Sequence, residues 1–394
     1  EESFKTIYHA GYKRQELNGT NTGVYIGGRS HGASNNANLA KARNPIMAVG
    51  QNYLAANLSQ YFNFIGPSLV VDTACSSALV CMNTAVEALQ AGSIDAALVG
   101  GISLLTSPST HEMFATRSLL PENGEFHILD QRASGVVLGE GCGMVYLKPL
   151  SKAKQDGDCI YSVIAGISIN NDGRTAGPAT PNIEAQKAVM RAALKQSACR
   201  QEDIQYLDVN GSGSEVTDLL EIKAIDAVYG SSHTPSQLQP SPLYLGSMKP
   251  NIGHPLSAEG VASFIKISLM LHHQSLVPFL SGEEPLPHFS IEDAGFAFPR
   301  QGQAAVMKYA ALNCFADGGT NAHVILREGG AQTANNCRQP LPLPAMNRLD
   351  ARTLQPMAND TADSTETAEG TPLNHPFSAS SVWQFSLSAD HPIL

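Results

Sequence analysis

The sequence predicts an α/β fold of stacked helix and sheet layers, and three observations carry that reading. From about Thr22 to Glu328, short β-branched or apolar runs alternate with longer segments of helical period, the order of elements in layered α/β proteins. Several of the short runs are apolar on both faces, as central strands of a covered sheet are. The longer segments carry apolar residues three and four apart, so each has a face to bury.

In chain order, strands are expected at Gly23–Gly27, Leu69–Thr73, Ala96–Leu104, Gly143–Leu147, Ser162–Ile169, Tyr206–Asn210, Leu243–Gly246, Ala310–Cys314 and His323–Leu326. Helices are expected at Ser76–Ala91, Ile183–Ser197, Glu215–Val228 and Ala258–Leu271. Beyond Glu328 the composition changes: six prolines lie between Pro340 and Pro376, around the polar stretch Asn359–Thr371, and such a segment has too little apolar surface for a core. Residues 1–328 therefore read as the folded body, 329–376 as a proline-rich linker and 377–394 as the start of something new. There Val382–Leu387 (VWQFSL) forms one strand. A lone strand is not a domain, so the C-terminus is expected to cut into one.

Composition limits the function. The 394 residues are 43% hydrophobic and only 15% charged, which suits a large, core-rich enzyme. A net charge of −10 and a pI of 5.6 argue against nucleic-acid and anionic-membrane partners, since neither attracts an acidic surface. No run approaches the roughly 20 apolar residues of a membrane span, and Glu1–Arg14 lacks the apolar centre of a signal peptide. A cytoplasmic location is expected. The seven cysteines are odd in number and lack metal-ligand spacing, so neither a disulfide framework nor a metal site is expected.

The sharpest local signal is Val70–Ser77 (VVDTACSS), a strand running straight into a helix, with Cys75 at the helix start. Unpaired N–H groups and the positive end of the helix dipole favour a thiolate there. A cysteine so placed can be a nucleophile whose own backbone N–H meets a developing oxyanion. A buried structural thiol is the bland reading. Gly139–Gly143 reads as a tight bend, because no strand–GxGxxG–helix context surrounds it.

Residues Asp72–Ser77 (DTACSS) resemble the nucleophile motif of β-ketoacyl synthases, specifically the ketosynthase domains of modular polyketide synthases. Further landmarks follow in that family's order: DAALVGG at Asp95–Gly101, Gly139-Glu140-Gly141 within LGEGCG, NNDG at Asn170–Gly173, KPNIGH at Lys249–His254 and GGTNAH at Gly318–His323. The resemblance covers Thr22 to about Arg327. It implies a thiolase-like fold, layered α-β-α-β-α with two pseudo-equivalent halves, and a homodimer. It also implies that the N-terminal part of the first half, with its first strand, is missing. By the same resemblance Leu373–Leu394 is similar to the opening of a polyketide-synthase dehydratase, stopping before a catalytic histidine.

The resemblance assigns the site. Cys75 is the nucleophile, His254 faces the thioester carbonyl, and Lys249 supports the electrostatics. Elongating members carry H-G-T-G-T followed by an Asp and a Glu. This chain has Asn210-Gly211-Ser212-Gly213-Ser214, then Asp218 and Glu221. Asn210 therefore replaces a histidine, whereas Ser212 and Ser214 keep the hydroxyls that hold a phosphopantetheine arm, as Thr320 also would. Where the family has F-G-F-G-G or F-G-A-G-G, this chain has Phe315-Ala316-Asp317-Gly318-Gly319. Asp317 falls where a backbone N–H completes the oxyanion hole. Its carboxylate either repels a nearby enolate or points into solvent.

Decarboxylative condensation needs donors for an enolate, and an amide cannot carry a proton at neutral pH as imidazole can. Acyl transfer to Cys75 demands less. The expected function is thus a non-elongating ketosynthase, of the kind typical of assembly lines whose acyltransferases act in trans. No cofactor is expected on the domain itself: substrate arrives on the 4′-phosphopantetheine of acyl carrier protein domains, with a dehydratase adjacent in the same polypeptide. Two alternatives stay open. One is slow elongation by a Cys-His-Asn set, as in chalcone-synthase-like enzymes, although their Asn stands at the position of His254. The other is a catalytically silent scaffold.

Overall fold

The structure, a computed structural model, describes residues 1–29, 50–177, 180–230, 242–330 and 337–344. The chain divides into two compact units, Glu1–Leu341 and Pro342–Leu394. All elements named below belong to the first. Of the second, Pro342–Pro344 is irregular and exposed, and the expected strand Val382–Leu387 and dehydratase-like stretch lie outside the described residues.

The first half runs α1 (Glu2–His9), β1 (Thr22–Gly27), α2 (Tyr53–Phe62), β2 (Ser68–Val71), α3 (Ser77–Gln90), β3 (Ala96–Ser103), α4 (Ser109–Thr116) and β4 (Gly141–Leu147). After α5 (Leu150–Gln155) come β5 (Ser162–Asn171), α6 (Ile183–Ser197), β6 (Ile204–Asp208), α7 (Glu215–Ile225), β7 (Leu243–Gly246), α8 (Lys249–Ile252) and α9 (Glu259–His273). Three two-residue strands follow, β8 (Ser275–Leu276), β9 (Phe296–Ala297) and β10 (Gln303–Ala304), and then the hairpin β11 (Tyr309–Phe315) and β12 (Thr320–Glu328).

The strands form two main sheets, ordered β2-β1-β3-β4 and β5-β12-β11-β6-β7-β9. In the first, β2, β1 and β3 are parallel and β4 is antiparallel to β3. In the second, β7, β6 and β11 repeat the parallel run and β12 repeats the antiparallel turn. That repetition is the pair of equivalent halves expected from the sequence.

Helices α3 and α9 fill the space between the sheets. Leu79 and Met82 of α3 and Phe264 and Ile267 of α9 share one core with Tyr25 and Val99 of the first sheet and Leu312 and Val324 of the second. On the outer face of the first sheet Ile7 of α1 and Ala55 and Phe62 of α2 pack on Val24, Ile26 and Leu98. On the outer face of the second, Met190 of α6 and Ile222 of α7 pack on Leu207 and Ile325. The layers are therefore α-β-α-β-α, and each of these large side chains contributes roughly 1.5–3 kcal/mol by burial.

Several expectations change. The strand drawn to Thr73 stops at Val71, because Thr73 N–H turns to Ser77 Oγ at 2.9 Å. The strand drawn to Asn210 stops at Asp208, because the Glu221 carboxylate takes the backbone N–H groups of Asn210 and Gly211, at 2.7 and 2.8 Å, away from any strand neighbour. The helix drawn to Val228 ends at Ile225 and finishes as a π-helical turn, Asp226–Gly230. The body also extends past Glu328. Arg338 N–H donates to the Gly157 carbonyl at 2.6 Å and Leu341 N–H to that of Tyr8 at 2.8 Å, while the Arg338 guanidinium lies 4.1 Å over the Tyr12 ring. Among the described residues no helix is long and apolar enough to cross a membrane.

Candidate active site

Cys75 sits in the turn between β2 and α3, and the DTACSS residues build that turn. The Asp72 carboxylate accepts from Ala74 N–H at 3.1 Å and pairs with Arg29 at 3.0 Å. Ser77 Oγ accepts from Thr73 N–H at 2.9 Å and donates to the Ala74 carbonyl, and Ser76 Oγ donates to that of Thr73 at 3.0 Å. These bonds hold Ala74 at φ 54, a left-handed conformation costly for a residue with a Cβ, and so lift Cys75 out of the strand line. Glycines let the turn approach the sheets. A Cβ on Gly101 of β3 would lie 2.6 Å from the Ser257 carbonyl oxygen and 2.9 Å from the Ala78 Cβ.

Cys75 Sγ lies 3.4 Å from His254 Nε2 and receives the backbone N–H of Asp317. Helix α3 begins at Ser77 with Ser76 as its cap, so Cys75 stands just outside it. Its half-buried side chain has a sulfur closely surrounded by protein, and burial pushes the thiol up to about 12, with Glu259 adding and Lys249 and the Asp317 N–H opposing. The thiolate expected at a helix start is therefore not the resting state. The nucleophile rests as a thiol.

His254 is placed by the Gly139 bend, which explains the LGEGCG motif. His254 N–H donates to the Val137 carbonyl at 2.7 Å, and Gly139 N–H returns to the His254 carbonyl at 2.9 Å. Leu256 N–H donates to His254 Nδ1 at 3.2 Å. A backbone N–H can only donate, so Nδ1 is the acceptor and Nε2 carries the ring proton toward Cys75. Burial, then the Lys249 charge, holds His254 far below the usual histidine value. It is a neutral donor.

Lys249 is buried and ion-paired with Glu259 at 2.6 Å. Its ammonium also donates to the carbonyls of Asn210 and, at 3.3 Å, Gly211. Burial would lower its pKa, but Glu259 outweighs that and holds it above the usual lysine value. Cys75, His254 and Glu259 offer ligand atoms within 4.8 Å of one another. The ring turns Nε2 to the sulfur and Nδ1 to the carboxylate, 3.4 Å away.

Asn210 is gripped from three sides. Its N–H goes to Glu221, its carbonyl to Lys249, and its Oδ1 accepts Phe315 N–H at 2.9 Å. The last bond fixes the amide orientation, leaving Nδ2 with no partner among the described residues. Ser212 Oγ donates to Asp218 at 3.0 Å, accepts from Ser214 N–H at 3.3 Å and meets the Thr217 hydroxyl. The hydroxyls of Ser214 and Thr320 make no hydrogen bond among the described residues.

Asp317 turns its carboxylate outward to Arg117 at 2.9 Å, with the two side chains 51% and 48% exposed. Of the two expectations for this carboxylate, the geometry shows one countered by an arginine at the surface. Its loop is supported by NNDG: Asp172 N–H donates to the Gly319 carbonyl at 2.9 Å and Asn171 Nδ2 to that of Gly318 at 3.3 Å. Sequence reasoning missed Glu259, Asn313 and His323. Glu259 leaves a signal as an acid opening a helix of otherwise apolar character, and His323 as the last residue of the GGTNAH motif, whereas Asn313 leaves none.

Residues 1–153 match the model of the beta-ketoacyl synthase N-terminal domain and residues 161–283 that of its C-terminal domain. Polyketide synthase PksL of Bacillus subtilis (strain 168) is 57% identical over 353 residues, which are 88% of this chain and 8% of that protein. Highly reducing polyketide synthase 40 of Fusarium pseudograminearum is 36% identical over 82% of this chain and 13% of its own length. The chain thus spans a small fraction of these curated relatives. Among solved structures, the oxazolomycin ketosynthase domain OzmH KS8 of Streptomyces albus JA3453 has a TM-score of 0.74 at 43% identity, covering 89% of this chain and 82% of that one. The ketosynthase from module 6 of the bacillaene synthase of Bacillus subtilis 168 gives 0.74 at 32% identity, covering 83% and 57%. Both halves of the family are matched in order and the two-sheet body superposes on solved ketosynthases: the chain belongs to the β-ketoacyl synthase family, as a ketosynthase domain of polyketide-synthase type with the thiolase-like fold.

Proposed function

We propose that this ketosynthase transfers acyl chains without elongating them. One observation carries the reading. The position that holds a histidine in elongating relatives holds Asn210, pinned so that it offers only a neutral amide N–H. The Cys75 sulfur attacks the carbonyl of an acyl thioester on a carrier protein's phosphopantetheine. Backbone N–H groups of Cys75 and Asp317 and the ring N–H of His254 are suited to hold the oxyanion. When the tetrahedral adduct collapses, the carbon–sulfur bond to pantetheine breaks and the Cys75 proton ends on the released pantetheine thiol. A second carrier thiol reverses these steps and regenerates Cys75. Ser212, Ser214 and Thr320 hold the arm, and no cofactor beyond it is required.

In the same reading the partners are acyl carrier protein domains, an adjacent dehydratase and acyltransferases acting in trans, with a second copy paired along the exposed edge of β2, where Leu69 is 42% exposed. Slow elongation remains a second reading, favoured by the unpartnered Nδ2 of Asn210, which can donate to an enolate although it cannot supply charge. The test is intact-protein mass spectrometry after exposure to hexanoyl-pantetheine, then to a carrier protein with a free phosphopantetheine thiol. Transfer predicts a hexanoyl gain at Cys75, absent in Cys75→Ala, that moves intact to the carrier. A wild-type chain that gains no mass supports a silent scaffold.

A further inference from the structure

Strand β11 touches both sides of the site with three consecutive residues. Cys314 Sγ donates to the Cys75 carbonyl at 3.4 Å, Phe315 N–H donates to Asn210 Oδ1, and between strand and loop Asn313 Nδ2 donates to Glu221 Oε1 at 2.9 Å. Asn313 is the cross-strand partner of His323 on β12. There His323 Nδ1 meets Asn313 Oδ1 at 2.6 Å and Nε2 meets the Tyr229 hydroxyl at 2.9 Å. All four side chains are buried.

With the Asn313 amide nitrogen donating to the Glu221 carboxylate, one proton arrangement satisfies this chain. The Asn313 oxygen must accept. His323 therefore donates from Nδ1, its Nε2 accepts, and Tyr229 donates. Burial holds His323 at about 3, so the ring stays neutral. Every donor then points the same way, from Tyr229 through His323 and Asn313 to Glu221, and aligned bonds polarise one another. The chain ends on the backbone N–H groups of Asn210 and Gly211.

We propose that the Nδ2 of Asn210, left without a partner by the Phe315 bond, is a further donor to the thioester on Cys75, and that His323 and Tyr229 are its positioning residues: through Asn313 and Glu221 they set the Asn210 peptide that carries this amide. Neither touches substrate. The proposal rests on the acyl-transfer reading, and wild-type loading separates the two, since a wild-type chain that fails to load Cys75 removes that reading before this one is asked.

The experiment measures single-turnover loading of Cys75 from hexanoyl-pantetheine across concentrations, in the wild-type and Asn210→Ala backgrounds. His323→Leu is expected to lower the limiting rate about tenfold, the equivalent of one lost buried hydrogen bond, with the half-saturating concentration little changed. His323→Gln, which can still donate to Asn313 and accept from Tyr229, is expected to recover most of the rate. In the Asn210→Ala background His323→Leu is expected to add nothing, because no amide is left to aim. A wild-type limiting rate in His323→Leu, or an equal further loss in both backgrounds, overturns the proposal. Should His323→Leu fail to fold, Tyr229→Phe removes only a hydroxyl. A loss of about threefold that vanishes in the Asn210→Ala background supports the proposal, and no loss, or the same loss in both, overturns it.

Discussion

Replacing Lys249 by methionine removes the ammonium from a nearly dry ion pair. At the observed 2.6 Å, the attraction to Glu259 is about 6 kcal/mol at an effective dielectric near 20, most of which offsets the loss of hydration. The single substitution also leaves Glu259 as an unpaired buried carboxylate, for about 3–5 kcal/mol. Glu259→Leu leaves the ammonium with only the Asn210 and Gly211 carbonyls and is expected to cost a similar amount. The double variant Lys249→Met/Glu259→Leu keeps the volume and buries no charge, so its cost falls to that of two carbonyls without donors, roughly 1–3 kcal/mol each. Urea unfolding of the four proteins gives the cycle. The double variant is expected to be more stable than Lys249→Met alone and to lose much less than the sum of the two single losses. Additive losses would show that the two groups do not stabilise one another and refute the reasoning.

Other consequences follow from the same geometry. Gly101→Ala sets a methyl 2.6 Å from the Ser257 carbonyl; such overpacking costs about 1–3 kcal/mol, and an unchanged melting temperature would contradict the close approach. Because burial pushes the Cys75 thiol up to about 12, its alkylation by iodoacetamide should rise about tenfold per pH unit between about pH 6 and 9; a plateau below pH 8 would indicate a resting thiolate instead. Burial pushes the Glu221 carboxyl up to about 7, against 4.5 for the free group. The folded state then holds this proton more tightly than the unfolded one, so this group's contribution to stability falls as pH rises from about 4.5 to 7. Glu221→Gln should flatten the stability profile in that window, and an unchanged slope would show that Glu221 ionises normally.

What the sequence reveals about this protein is what neighbouring residues decide. The β2–α3 junction is legible because apolar period and the DTACSS turn lie in one stretch, and the alternation of strands and helices suffices for the layers. Asn210 is visible as a departure from a motif. Its consequences are not, since they depend on Glu221, Lys249 and Phe315, brought from α7, α8 and β11. The fate of Asp317 is set by Arg117, 200 residues away, so sequence could only leave it open. The Cys75 thiol is the sharpest case. The helix start argues for a thiolate, whereas the three-dimensional enclosure of the sulfur, which no local pattern records, argues more strongly for the thiol.

If acyl groups pass through Cys75 unchanged in length, as we propose, loading it with a hexanoyl group, adding malonyl-loaded and free-thiol carrier proteins together and weighing both carriers over time tests it directly. The expected result is a hexanoyl group on the free-thiol carrier and no release of carbon dioxide from the malonyl one. A malonyl carrier that loses carbon dioxide and gains the hexanoyl chain, forming a β-keto product longer by two carbons at a rate matching transfer, would contradict it.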